Sequence, residues 1–243
     1  VQNQVEKQFL YIDSLEGAEQ AVRQAAEAPV IGLQLIIEEH EILGLALSRS
    51  KEDICFIAAG GFVTGAYLAG KTKELLTGGG ASWVLDLKAM LPFLDLEETE
   101  GVYDAGVAGY LLNPLKSAYL YDELAAEYLG MTVPSRMDLL GKLPYGKALE
   151  EKQEAAVSCF CYQAYAAAQA GPVLLEKLAQ TGMKTLFLTI EMPLIYSLYH
   201  MEKEGIRVER ETLKAYGETL KTQIDVLETE IYELAGEQFN INS

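Results

Sequence analysis

Hydrophobic and polar positions follow one another in two regimes along this chain. Between residues 30 and 58, three apolar and partly β-branched runs stand in succession, Val30 to Ile37, Ile42 to Leu47 and Ile54 to Ala58. Charged turns separate them, Glu38-Glu39-His40-Glu41 and Arg49 to Asp53. Short apolar runs bounded by such turns predict strands, here an antiparallel meander. Ahead of it, Phe9 to Ile12 predicts a short strand. Ser14 is placed to cap a helix from Leu15 to about Ala28, which Pro29 ends. After it, Phe62 to Leu76 predicts a helix closed by Thr77-Gly78-Gly79-Gly80, and Ser82 to Leu85 a further strand.

From Asp86 the pattern turns mostly helical. Segments at Asp86 to Leu91, Tyr103 to Leu112, Leu120 to Leu129, about Ala148 to Ala170 and Pro172 to Gln180 carry helical periodicity, and the Pro- and Gly-containing Met131 to Gly146 reads as a loop. Pro193 suits the first turn of a helix that reaches about Glu204. Leu213, Tyr216, Leu220, Ile224, Leu227, Ile231 and Leu234 then recur every three or four residues, one apolar stripe on a long helix that needs a partner surface. A mixed sheet followed by packed helices predicts an α/β or α+β domain. No internal repeat or low-complexity tract interrupts it.

Composition narrows the picture. The 243 residues are enough for a sizeable core, and half of them are hydrophobic. No apolar run approaches the roughly 18 residues that cross a bilayer, and no basic leader with a cleavage site opens the chain, so the expectation is a cytoplasmic protein without a membrane partner. Cys55, Cys159 and Cys161 are an odd number that argues against a disulfide framework and for buried thiols. Nineteen basic residues against 36 acidic ones give a formal net charge of −17. Binding to nucleic acid draws on Lys and Arg that neutralise phosphates, so this chain by itself is expected to bind DNA weakly or not at all.

Several suggestive features have plainer readings. The triple glycine follows a helix and precedes a strand, the reverse of the phosphate loop, and is better read as a helix stop. Cys159 and Cys161, two apart on a helix, point to different sides and have no His nearby in sequence. His40 and His200 stand in no zinc or triad context, and His200 reads as a packing or surface residue.

The last stretch of the chain is the most specific. Glu191-Met192-Pro193-Leu194, then Glu202-Lys203-Glu204-Gly205-Ile206-Arg207-Val208, then Ala235-Gly236-Glu237-Gln238-Phe239-Asn240 stand in order. They resemble the junction in bacterial family A DNA polymerases (DNA polymerase I) where the 3′→5′ exonuclease domain hands over to the polymerase domain. Upstream, Val102-Tyr103-Asp104-Ala105 to Tyr110-Leu111-Leu112-Asn113-Pro114, and Tyr121-Asp122-Glu123-Leu124-Ala125 with Glu127-Tyr128-Leu129-Gly130, resemble two helices of the same exonuclease domain. The resemblance covers essentially the whole chain. It implies a ribonuclease-H-like exonuclease fold, a mixed sheet with flanking helices, over residues 1–182, and the first helices of the polymerase domain over 183–243. In that family the thumb, palm and fingers would still lie ahead of Ser243, and the chain opens on Val1 rather than Met. Both ends are therefore expected to be cut from a longer protein. The partners so implied are the remainder of the same polymerase chain and, through it, DNA, with Mg²⁺ expected for the parent polymerase.

An active exonuclease of this kind holds two divalent metals with carboxylates from three places. The first is an Asp-x-Glu on the opening strand, and here that strand carries no acid; its polar member is Gln34, and Glu38 and Glu39 fall beyond it as solvated hairpin charges. The second is an Asp between a strand and a helix, which Asp86 matches, although an Asp there also serves as a helix cap. The third is a Tyr-x-x-x-Asp on a long helix, where Phe160 and Ala164 stand and where no acid occurs between Glu154 and Glu176. With one matched carboxylate a two-metal Mg²⁺ site is implausible. The reading is thus a vestigial, inactive exonuclease domain that scaffolds the polymerase module, with no catalytic, cofactor-binding or metal-binding residue and Asp86 as a relic. Two rivals are a residual metal-dependent exonuclease that joins Asp86 with Glu38, Glu39 or Asp104, and an acidic module that binds another protein through its last helix.

Overall fold

The structure is a computed structural model that describes the backbone of Asn3 and Gln4 and residues 8–241. Its centre is a six-stranded mixed sheet, built from β2 (Leu10–Ile12), β3 (Val30–Glu38), β4 (Glu41–Ser48), β5 (Ile54–Ala58), β6 (Ala81–Val84) and β7 (Val102–Asp104). These stand in the order β2-β5-β4-β3-β6-β7. The predicted meander is present, with β3 antiparallel to β4 and β4 to β5, and Leu33 faces Leu47 while Leu45 faces Ile57. At either side the sheet becomes parallel, β2 with β5, β3 with β6 and β6 with β7. A separate two-residue strand, β1 (Asn3–Gln4), pairs with β8 (Met131–Thr132).

The continuous apolar character of β3 and β5 follows from their position, since central strands covered on both faces have no polar side to show. Ile31 to Ile36 and all of β5 are buried. Around the sheet lie α1 (Leu15–Ala26), α2 (Gly65–Thr77), α3 (Leu87–Leu94), α4 (Ala105–Leu112), α5 (Tyr121–Leu129), α6 (Arg136–Leu140), α7 (Tyr145–Glu151) and α8 (Gln153–Gln180). Ser14 caps α1 as expected, its Oγ accepting the Gly17 N–H at 3.2 Å.

The 28-residue α8 lies along β3, β4, β5 and β6. Small residues let it approach. A Cβ on Gly32 would stand 1.9 Å from the Ala164 carbonyl oxygen, and one on Gly171 would stand 2.2 Å from the Trp83 ring. The aromatic core closes around it, with Phe160 at 5.1 Å from Phe56 and 5.0 Å from Tyr145 between ring centroids. All three cysteines are free and buried. Burial raises each thiol, Cys55 and Cys159 to about 11 and Cys161 well above its ordinary value, so they stay protonated core residues.

The structure corrects the sequence expectations in four places. Tyr103 is not in a helix but in β7, whose short β-branched start was hidden by the helical pattern after it. The expected loop at 131–146 contains β8, α6 and the start of α7. The start of α6 carries a capping box, with Ser135 Oγ accepting the Asp138 N–H and Asp138 accepting the Ser135 N–H. The helix expected from Ala148 breaks at Lys152 into α7 and α8. Pro172 does not divide α8, because Leu174 and Leu178 beyond it are as fully buried as Ala168 and Ala170 before it, and this packing outweighs the one hydrogen bond a proline removes.

After α8 come α9 (Lys184–Leu186), a π-helical segment at Phe187–Glu191, α10 (Met192–Glu204) and α11 (Arg210–Ala235). Pro193 stands in the first turn of α10, but helical backbone already begins at Lys184. The chain divides into two compact units, Val1–His200 and Met201–Ser243. In the first, Met192, Ile195, Tyr196 and Tyr199 are buried. In the second, no residue of α11 is buried. Among the described residues no helix is long and apolar enough to cross a membrane.

Candidate functional site

A cleft of about 480 Å³ opens where β3, β6 and β7 end, at the carboxyl edge of the parallel strands where open α/β sheets place their ligand sites. Its walls come from β3, from the β6–α3 and β7–α4 junctions, from Tyr119 to Tyr121, and from Arg136, Tyr145 and Gln163. Of the three places considered in the sequence, the opening strand and Asp86 meet here, and the long helix contributes a neighbour of the expected positions.

On β3, Gln34 lines the cleft, and Ile36, two residues on, shares its face of the sheet. Gln34 is 8 % exposed, and its Oε1 accepts the Leu85 N–H at 3.0 Å. The amide of Gln34 thus ties β3 to the chain leaving β6. The position two residues from it is filled by the aliphatic Ile36.

Asp86 is the exposed carboxylate of the lining. It takes a left-handed backbone conformation, φ 56° and ψ 63°, at the sharp turn from β6 into α3, and its Oδ1 accepts the Ala89 N–H at 3.2 Å. A non-glycine residue with positive φ is uncommon, Asp and Asn being the usual ones, and here the side-chain cap holds it.

From α8 the residue that reaches the cleft is Gln163. Ala164, at the position counted from the sequence, is fully buried with its carbonyl against Gly32, and Phe160 is a core residue. The helix register therefore turns the expected position to β3 and presents the amide of Gln163 to the cleft instead.

Asp104 also borders the cleft, from the end of β7, but it is only 3 % exposed. Its Oδ2 accepts the Leu87 N–H at 2.7 Å, while its Oδ1 accepts Gly106 and Val107 N–H groups at 2.8 and 3.1 Å. One carboxylate thereby caps α4 and holds the first turn of α3. Burial pushes its pKa up to about 6 against the opposing pull of these amides, and the charge of Asp86 adds to the rise. Sequence reasoning placed Asp104 within a helix resembling one of the exonuclease domain and counted it as a spare acid for the residual-exonuclease rival. The available signal was an Asp directly before a helix, the pattern of an N-cap.

Glu38 is not the solvated hairpin charge expected. Its two carboxylate oxygens accept the Tyr145 and Gly146 N–H groups at 2.6 and 2.9 Å, so it closes the N-terminus of α7, where a negative charge also suits the helix dipole. Sequence could not show this, because the partner lies more than a hundred residues away. Glu39 is exposed at the hairpin tip with φ 54°. His40 and His200 are both exposed. The triple glycine ends α2 and leads into β6, a helix stop as expected.

The opposite wall is aromatic and internally bonded. Tyr119 donates to the Asn113 carbonyl at 2.6 Å and Tyr121 to the Pro134 carbonyl at 2.7 Å. Arg136 lies 5.0 Å from the Tyr145 ring centroid and donates to the Leu143 carbonyl at 3.1 Å. A pair of divalent cations needs several free oxygen ligands, and this lining does not fit it: one carboxylate is accessible, the second is buried under three amides, and the rest are amide, aliphatic and aromatic side chains. Among the described residues, no group of three His, Cys, Asp or Glu side chains could hold a metal ion.

No protein-family model matches the chain. It is similar to DNA polymerase I of Caldicellulosiruptor bescii, 28 % identical over 174 residues, which is 70 % of this chain and 18 % of that protein. It is 32 % identical to DNA polymerase I of Streptococcus pneumoniae over 159 residues, 65 % of this chain and 18 % of that protein. For Bacillus subtilis DNA polymerase I the identity is 31 % over 169 residues, 66 % of this chain and 18 % of that protein. The chain thus spans under a fifth of the length of these relatives. In fold it resembles the POL domain of Pol1 from M. smegmatis, solved in complex with DNA primer-template and dNTP, with a TM-score of 0.70 at 19 % identity over 97 % of this chain and 39 % of that one. It also resembles the EXO domain of Aedes aegypti Nibbler, with a TM-score of 0.53 at 8 % identity over 79 % of this chain and 99 % of that one. The chain is a sequence relative of a section of bacterial DNA polymerase I, and it carries the ribonuclease-H-like exonuclease fold followed by a helical extension.

Proposed function

We propose that this chain is the exonuclease-like section of a bacterial DNA polymerase I, residues 1–182, with the first helices of its polymerase domain, residues 183–243, and that its exonuclease cleft is catalytically inert. Its work is then to brace the polymerase module rather than to shorten 3′ ends. The observation that carries this reading is the composition of the cleft. Gln34 and Ile36 of the opening strand, Asp86 and Asp104 border it, the long helix reaches it through Gln163 and not through Phe160 or Ala164, and Asp86 is its one exposed carboxylate.

Two-metal hydrolysis needs the metals to activate a water and to stabilise the leaving oxygen. A single exposed carboxylate is a weak holder of Mg²⁺, which sheds its water reluctantly. The formal charge of −17 supports weak DNA binding by the chain itself, with DNA contacted through the remainder of the polymerase. The rival of a residual exonuclease needs Asp104 or Glu38 to leave the backbone amides that hold them, or Glu39, which does not line the cleft, to reach Asp86.

The test is calorimetric titration of the purified chain with Mg²⁺ and Mn²⁺, followed by incubation with a 3′-labelled single strand. The expected outcome is no binding heat and an intact strand. Metal-dependent shortening that Asp86→Ala abolishes would overturn the proposal.

A further inference from the structure

The cleft at the ends of β3, β6 and β7 does not fit a pair of metals, yet it remains a pocket. Its volume of about 480 Å³ falls within the ordinary range of small-molecule sites, and every residue that lines it lies between 34 and 163, inside the first unit. Much of the lining is apolar, Ile36, Leu85, Met90 and Val107 included. Tyr119 and Tyr121 donate their hydroxyls to the Asn113 and Pro134 carbonyls, neither of which borders the cleft, so these residues line it chiefly as ring surface.

Two polar groups in this lining keep unused capacity. Gln34 is 8 % exposed, and while its Oε1 is taken by the Leu85 N–H, its amide nitrogen carries two donors, one of which makes a long 3.5 Å contact with the Leu35 carbonyl. The other donor has no acceptor, and a buried donor left so is costly until a ligand oxygen meets it. Asp86 accepts the Ala89 N–H on Oδ1, and among the described residues no donor reaches its Oδ2. The cation of the lining, Arg136, is held against the Tyr145 ring and the Leu143 carbonyl. With the carboxylate of Asp86 exposed and a formal net charge of −17 on the chain, the cleft favours a ligand cation over an anion.

We propose that the cleft binds a small flat molecule with an ammonium or amidinium group for Asp86 and, about one ring away, a carbonyl for the Gln34 amide. The spacing follows from the bond between Gln34 and the N–H of Leu85, the residue next to Asp86. Such a ligand is opposite in charge to a nucleic-acid end. The proposal rests on the reading that the cleft holds no metal, because a divalent cation would occupy the same Asp86 oxygens.

The probe is meta-(aminomethyl)benzamide, added to the purified chain in EDTA and followed by saturation-transfer NMR and calorimetry. Binding is expected with a Kd on the order of 0.1 to 1 mM. Asp86→Asn keeps a residue suited to the cap and to the left-handed turn, and its folding is checked by Trp83 fluorescence. It should weaken the probe about tenfold and leave benzamide, which has no cation, unchanged. Benzylamine, which lacks the carbonyl, should bind the wild type several-fold more weakly than the probe. No binding in EDTA, equal binding by Asp86→Asn, equal binding of benzylamine, or tighter binding of thymidine monophosphate than of the probe would each overturn this proposal and leave the inert cleft standing. Displacement of the bound probe by Mn²⁺ would support this site and overturn the inert cleft instead.

Discussion

The two longest helices, α8 and α11, are of nearly equal length, 28 and 26 residues, and end up in opposite environments. Helix α8 is rich in Ala and carries Gly171, and most of its residues are buried; α11 carries larger aliphatic side chains, and none of its residues is. Burial in this protein therefore does not follow the size of the apolar side chains. It follows backbone access. Gly32 and Gly171 let α8 lie so close to the sheet that small residues suffice to fill the gap, whereas the bulky residues of α11 are not buried.

The contrast breaks most visibly at Gly32. A Cβ there would collide with the Ala164 backbone carbonyl, which no rotamer change can move aside. Gly32→Ala is expected to destabilise the first unit by more than about 4 kcal/mol, read by denaturant unfolding followed through the buried Trp83. A loss under about 1 kcal/mol would mean that α8 is not seated on β3 as described.

A smaller effect, and a pH-dependent one, belongs to Asp104. Its folded pKa of about 6 lies above the ordinary 3.8, so its contribution to stability is complete below about pH 4 and is lost as pH rises through 6. Asp104→Asn, which does not titrate, removes this dependence. The difference between wild type and variant is expected to change by about 2 kcal/mol between pH 4 and pH 7, wild type gaining as pH falls. Parallel pH profiles would refute the raised pKa.

The smallest effect falls on α11. Leu227→Ala, at a residue 56 % exposed, should change the unfolding of the first unit by less than about 0.5 kcal/mol at dilute concentration, again by Trp83 fluorescence. A larger loss would make α11 part of the first unit's stability and erase the contrast with α8.

The meander was legible in the sequence because its apolar runs and charged turns are local signals, and so was the Ser14 cap. The strand β7 was not, since three residues directly before a helix carry too short a period to be told from it. The 131–146 segment was misread because Pro134, Gly141 and Pro144 mask the capping box of Ser135 and Asp138. In the cleft, Asp86 and Gln34 could be picked out by their place relative to strands. Ile36, Gln163 and the caps made by Asp104 and Glu38 could not, because each depends on which residues from distant segments come to face the same space.

Sequence by itself determined the strand succession of the meander, the absence of acids from Val30 to Ile37 and on the middle of α8, the burial of the cysteines and the amphipathic stripe of α11, all of which rest on residue type and local periodicity. Tertiary structure alone decided that α8 runs unbroken through Pro172, that Gln163 rather than Ala164 borders the cleft, and that two of the candidate acids are occupied by backbone amides. Those outcomes turn on helix register and on hydrogen bonds between segments far apart in the chain, which a linear pattern of hydrophobic and polar residues does not encode.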